Sequence, residues 1–173
     1  CYCHDSVMTE YATHLETHVG EASEETPDAS TGEEARRQQN EGFNLAEVLE
    51  YISARISEIK SLIAKQYPVE TPEGMQRVIS RLEDLIGNLQ GGSRFDSEAL
   101  ERDFVLVDVL LVTELQHCVP AEQLDAWEAE AKKELKVYKK RLPKETYEKI
   151  HSNFIRDKIH HKFGIGELSL FRL

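Results

Sequence analysis

Cysteine and histidine side chains cluster near the start of the chain. Cys1, Cys3 and His4 are followed by His14 and His18, which fall one turn apart on one face of a predicted helix. Thiolate and imidazole groups are ligands that zinc prefers in proteins, so these five residues are a candidate zinc site. Their spacing matches no common zinc motif, and it favours the alternative of a frayed terminus with solvated histidines.

Two Glu-x-x-His pairs form a second candidate metal site. Glu114 with His117, and Glu148 with His151, resemble the motifs that bind metal on two helices of ferritin-like di-iron bundles. One predicted helix of about 22 residues, rising roughly 1.5 Å per residue, separates the two pairs by roughly 30 Å. We therefore expect the pairs to share a metal only in a domain-swapped dimer.

Other catalytic signatures are missing from the sequence. It contains no Gly-rich phosphate loop, no Gly-x-Ser-x-Gly elbow, no His-Glu-x-x-His and no Cys-x-x-Cys pair. This favours a non-enzymatic interaction or regulatory protein that uses its apolar C-terminal tail and its basic last helix as contact surfaces. A nucleic-acid-binding helical domain is the alternative, and a metal-dependent helical-bundle enzyme is the third hypothesis.

Basic residues concentrate in the last third of the chain, where positions 132–162 hold 11 Lys or Arg against 4 Asp or Glu. This surface could contact phosphates, with segments 120–142 and 144–163 forming a helix-turn-helix. The alternative is a solvated helix face on which lysines alternate with glutamates at ion-pair spacing. The candidate anion or nucleic-acid contacts are Lys132, Lys136, Lys139, Lys140, Arg141, Lys144, Arg156, Lys158 and Lys162.

One acidic residue, Asp108, interrupts the apolar run Phe104–Val112. A buried carboxylate at this position would need a cationic partner and would be a candidate functional acid. Because Glu101 lies seven residues earlier on the same stripe, the pattern favours a place at the wet edge of the helix. The rest of the run is apolar on almost every side, which predicts a central helix; a buried strand is the alternative.

The last nine residues are more apolar than is usual for a free terminus. They either fold back over the domain or dock on a partner as an extended peptide. In the second interpretation the partner-binding residues are Ile165, Leu168, Leu170, Phe171 and Leu173.

The elements that position these residues are helices, because apolar side chains recur at helical spacing in five segments. Proline, glycine or a capping residue bounds each segment. The connections are short, so we predict an all-α antiparallel bundle of about five helices. The helices begin at Asn44, Pro72, Asp96 or Ser97, Pro120 and Pro143, and the last ends at Gly164.

The composition divides the chain into four parts. Residues 1–20 form a short segment with weak helical periodicity, and residues 21–42 form an acidic stretch too poor in apolar side chains to order itself. We predict that the second part is a disordered linker. The bundle follows at 43–164, and the apolar tail at 165–173.

Charge and cysteine content limit the function classes. The net charge is −11, with −9 in residues 1–60 and +3 in residues 121–173, which argues against wrapping nucleic acid with the whole chain. No apolar run reaches the roughly 20 residues of a membrane span.

Three cysteines without framework spacing favour the cytoplasm; a lipid anchor on Cys1 is the alternative. The expected partner is another protein, with nucleic acid second, and the oligomeric state is open.

Overall fold

The computed structural model describes residues 43–92 and 94–173, and the elements it assigns there are helical. The all-α bundle is therefore confirmed for this part of the chain, whereas the predictions for residues 1–20 and 21–42 lie outside it. No helix in the described part is long and apolar enough to cross a membrane. The helices are α1 (Leu45–Gln66), α2 (Glu73–Gln90), α3 (Ser97–Gln116), α4 (Ala121–Glu134), α5 (Lys136–Arg141) and α6 (Lys144–Phe163), followed by a short 3₁₀ turn (Leu170–Arg172).

Local chemistry explains where several helices begin and end. The Asn44 side chain accepts a hydrogen bond from the Ala46 N–H at 2.8 Å, and Asp96 caps α3 in the same way. These bonds satisfy N–H groups that have no partner within the helix. Gly164 ends α6 with φ at 64°, a left-handed conformation that glycine adopts without steric cost.

One core runs through the bundle and the tail. α1 packs against α2, α2 against α3, α3 against α6, and α6 against α4. Burial of these apolar faces, rather than intrinsic helix propensity, is the main source of stability in such a fold. The largest buried side chains are Phe104, Phe154, Ile52, Ile59, Met75, Leu82, Leu111, Leu115, Leu135, Ile150, Ile159 and Leu168.

The predicted single helix over 120–142 is interrupted. α4 ends at Glu134, and Leu135, with φ at −96° and ψ at 4°, separates it from α5. The side chain of Leu135 is fully buried, and its carbonyl accepts hydrogen bonds from the Tyr138 and Lys139 N–H groups. The apolar spacing runs on through this turn, which is why the sequence pattern does not reveal it.

The prediction that α3 is enclosed by other helices is wrong on one side. Val105, Leu106 and Val109 are 39 %, 56 % and 45 % exposed. α3 packs against α2 and α6, and residues of the tail bind its Asp108 and Glu101 side chains. These neighbours leave one face uncovered, and we call these three residues the α3 stripe.

Candidate functional site

The apolar tail folds back onto the bundle. Ile165, Leu168 and Leu170 are buried with the core, whereas Phe171 is 69 % and Leu173 is 50 % exposed. Of the five residues predicted to contact a partner, this conformation therefore leaves only the last two accessible. The tail therefore lies where the first of the two alternatives puts it, folded back over the domain.

Polar contacts fix the path of the tail along α1 and α3. The Glu101 carboxylate accepts hydrogen bonds from the Ser169 hydroxyl at 2.8 Å and from the Leu170 N–H at 2.7 Å. The Tyr51 hydroxyl accepts one from the Ser169 N–H at 3.1 Å, and Arg55 donates to the Gly166 carbonyl. Because the tail lacks helical hydrogen bonds here, these side chains satisfy backbone groups that burial removes from water.

Asp108 lies at the centre of this contact and is only 1 % exposed. One carboxylate oxygen, Oδ1, lies 2.9 Å from His160 Nε2 and accepts a hydrogen bond from the Leu168 N–H at 3.2 Å. The other, Oδ2, lies 4.0 Å from Arg156 Nε and has no hydrogen-bond partner. The prediction of a wet-edge position is therefore wrong: Asp108 is buried with cationic partners and joins α3, α6 and the tail.

Arg156 extends this network to the surface. Its guanidinium donates to Asn153 Oδ1 at 2.7 Å and lies 3.8 Å from the Glu167 carboxylate, which in turn lies 3.7 Å from Arg172. Its charge is therefore shared between the buried Asp108 and the tail. Together these contacts link the tail to α3 and α6.

The predicted basic surface divides into two parts. On α6, Lys158 lies 3.0 Å from the Glu130 carboxylate and 5.3 Å from the centre of the Phe154 ring, and Lys162 donates to Gln123 at 2.6 Å. These two residues and Arg156 therefore face neighbouring elements of the bundle. They do not form one surface with the remaining basic residues.

The second part lies around α5 and is exposed to solvent. None of its side chains takes part in an ion pair within the described residues. The only acidic residue between positions 132 and 144, Glu134, has its Oε2 atom buried. We call this surface the basic corner; it consists of Lys132, Lys133, Lys136, Lys139, Lys140, Arg141 and Lys144.

A cavity of about 320 Å³ lies between α3 and α6. Val109, Val112 and Ile155 give it apolar walls, and His151 and Arg156 are among its polar lining residues. Val109 also belongs to the α3 stripe, so the cavity and the stripe are continuous. Within the lining, His151 Nε2 lies 2.9 Å from the Glu128 carboxylate.

The geometry of the two Glu-x-x-His pairs differs from the prediction. Gln116 and His151 line the same cavity, so the end of α3 lies beside the first half of α6 and not roughly 30 Å away. The estimate failed because it assumed one unbroken helix between them. Even so, no group of three or more His, Cys, Asp or Glu in the described residues could hold a metal ion.

The zinc candidate lies outside the residues that the structure describes. Its members are Cys1, Cys3, His4, His14 and His18.

One contact that the sequence did not indicate involves Tyr67 and Cys118. The Cys118 thiol donates to the Tyr67 hydroxyl at 3.2 Å, and this hydroxyl donates to the Glu114 carbonyl at 3.3 Å. Burial, and then the Cys118 hydrogen bond, raise the pKa of Tyr67 above its ordinary value. The contact links the end of α1 to the turn after α3. The sequence pattern does not reveal it, because Tyr67 is 47 or more positions away from its two partners.

Comparison with known proteins adds no family or fold assignment, since no family model, curated protein or solved structure matches the chain.

Proposed function

We propose that this chain is a non-enzymatic protein that binds another protein, in a regulatory or adaptor role, through the α3 stripe. One observation carries the proposal: Val105, Leu106 and Val109 are substantially exposed on a helix whose other faces line the core. Adjacent exposed aliphatic side chains are a feature of interaction surfaces, because leaving them in water is unfavourable.

The surroundings of the stripe favour a protein over a lipid or nucleic-acid partner. Arg102 and Asp103, which carry opposite charges, flank it and are exposed. An apolar centre with a rim of both charges is typical of protein interfaces. A nucleic acid or an anionic bilayer would be better matched by a rim of positive charge alone.

The shape of this region favours an amphipathic helix as the occupant. The stripe follows the axis of α3, and the cavity between α3 and α6 lies directly beside it. A helix that presents aliphatic residues three and four positions apart would cover the stripe and insert one side chain into the cavity.

A second copy of this chain is a weaker candidate, since obligate homodimer interfaces bury roughly 2,000 Å² or more in total, which is much more than three partly exposed side chains offer.

The test compares two exposed apolar positions. The tagged chain of residues 1–173 is used to capture a partner. The partner is then purified, and its binding to the parent chain, to Leu106→Glu and to the matched control Val69→Glu is measured by titration calorimetry. Val69 is 97 % exposed in the connection between α1 and α2. We expect Leu106→Glu to weaken binding at least about tenfold, a typical loss for a residue central to an interface.

Both variants should keep a thermal transition close to that of the parent chain, since more than half of each residue is exposed to solvent. Unchanged affinity for Leu106→Glu, or an equal loss for Val69→Glu, would reject the α3 stripe as the binding surface.

The proposal includes a cytoplasmic location, which the odd number of cysteines without framework spacing supports.

Nucleic-acid binding through 120–142 and 144–163 has lost part of its support, because Arg156, Lys158 and Lys162 have partners within the protein. Metal analysis of the purified chain tests the metal-dependent alternative, including the zinc candidate.

A further inference from the structure

The basic corner is a second surface that the proposed function does not use. It holds seven basic residues in thirteen positions of a chain whose net charge is −11. Like charges this close repel one another, and no described ion pair offsets the repulsion. A negatively charged partner would remove this cost.

The corner is a rigid part of the fold. Leu135 is fully buried, and Tyr138 and Leu142 pack against the core on the same short segment. α5 contacts both α4 and α6, so its lysines lie at a turn between two longer helices. Such a turn can meet an extended surface without a change in the fold.

An apolar side chain lies in the middle of the charges. Val137 is 54 % exposed, between Lys136 and the pair Lys139 and Lys140. At a bilayer, an aliphatic side chain among lysines can enter the interface while the ammonium groups contact lipid phosphates. In a complex with nucleic acid it would meet only phosphates and sugar edges.

The shape of the corner also argues against groove recognition. α5 has six residues, or about 9 Å of helix, and the adjacent long helix α6 has Arg156, Lys158 and Lys162 bound to other parts of the protein. Six of the seven basic residues are lysines, which bind phosphate as point charges and lack the planar fork of arginine that reads bases.

We infer that the basic corner binds the surface of a bilayer that contains anionic lipids, with Val137 inserted at the interface. The lysines and Arg141 contact lipid phosphates. Binding of this kind is peripheral and weakens with salt, because screening shortens the reach of the charges.

The test is co-sedimentation of the full chain with vesicles of phosphatidylcholine alone and of phosphatidylcholine with phosphatidylglycerol. We expect binding only to the anionic vesicles, at low salt. Replacing Lys139 and Lys140 together by Glu should lower the affinity at least about tenfold, since each basic residue near the surface contributes several-fold. The matched control replaces Lys60 and Lys65, which are also exposed, by Glu in the same way. It should leave the affinity for anionic vesicles nearly unchanged.

Val137→Ser separates the two classes of anionic partner. It should lower vesicle affinity several-fold and leave the weak, salt-dependent binding of duplex DNA unchanged. Three outcomes would overturn the inference: no binding to anionic vesicles at low salt, equal losses for the two double variants, or tighter binding to DNA than to vesicles with no effect of Val137→Ser. These outcomes are independent of the α3 stripe, because no residue is shared between the surfaces.

Discussion

Replacing Asp108 by Ala tests how strongly the tail is held in the core. The carboxylate accepts hydrogen bonds from the Leu168 N–H and from His160, and it partly balances the charge of Arg156. The alanine variant leaves both donors in a site from which water is excluded. Release of the tail would be the cheapest way to solvate them.

The magnitude follows from the number of groups left without a partner. A buried donor without an acceptor costs about 1 to 3 kcal/mol, and here there are two, so the loss is about 2 to 6 kcal/mol. Removing one member of a buried charged pair costs about 3 to 5 kcal/mol in other proteins. We expect the free energy of unfolding to fall by about 3 to 5 kcal/mol, a large part of the stability of a domain of this size.

Urea denaturation followed by circular dichroism measures this change. Asp103→Ala is the matched control, because Asp103 is exposed on the same helix, and it should change the free energy of unfolding by less than about 0.5 kcal/mol. Asp108→Asn should fall between the two, since the amide keeps an oxygen for Leu168 but loses the negative charge. A loss below about 1 kcal/mol for Asp108→Ala would refute the buried network.

Three further perturbations follow from the packing and the titration of single groups. Leu168→Ala should lower the free energy of unfolding by about 2 to 5 kcal/mol, and Leu173→Ala by less than about 0.5 kcal/mol, because only Leu168 is buried. Chemical denaturation measures both values. Equal losses for the two variants would contradict the position of the tail. Gly87→Ala should raise the free energy of unfolding by about 0.5 to 1 kcal/mol, since an added Cβ meets no atom within 4 Å and alanine favours the helix; a lower thermal transition would oppose this. Burial raises the pKa of Tyr67, so the stability it contributes is complete below about pH 10 and falls as the pH rises further. The free energy of unfolding of Tyr67→Phe should therefore fall less steeply above about pH 10 than that of the parent chain. Identical pH dependence for the two chains would contradict this expectation.

Much of the helical framework could be predicted from the sequence, because the boundaries depend on local chemistry. Asn44, Asp96 and Gly164 act at α1, α3 and α6 through bonds or backbone angles within a few residues of themselves. The turn at Leu135 was missed for the opposite reason. It contains no proline or glycine, and the residue at the turn, Leu135, is a fully buried apolar side chain that fits the helical pattern.

The candidate surfaces were harder to predict, since exposure depends on which neighbours cover a residue. The composition of the run around Val105 and Val109 suggested burial on all sides, and nothing in it indicates that the elements packed against α3 leave these side chains exposed. The partners of Asp108 are 52 and 60 positions away, so its neighbours along the chain could not identify them.

Residue-resolved amide hydrogen exchange tests the central claim, that the tail belongs to the core. The amides of Leu168 and Leu170 donate to Asp108 and Glu101, and we expect them to exchange as slowly as amides in the buried part of α6. Exchange of these two amides at the rate of an unstructured peptide would contradict the account.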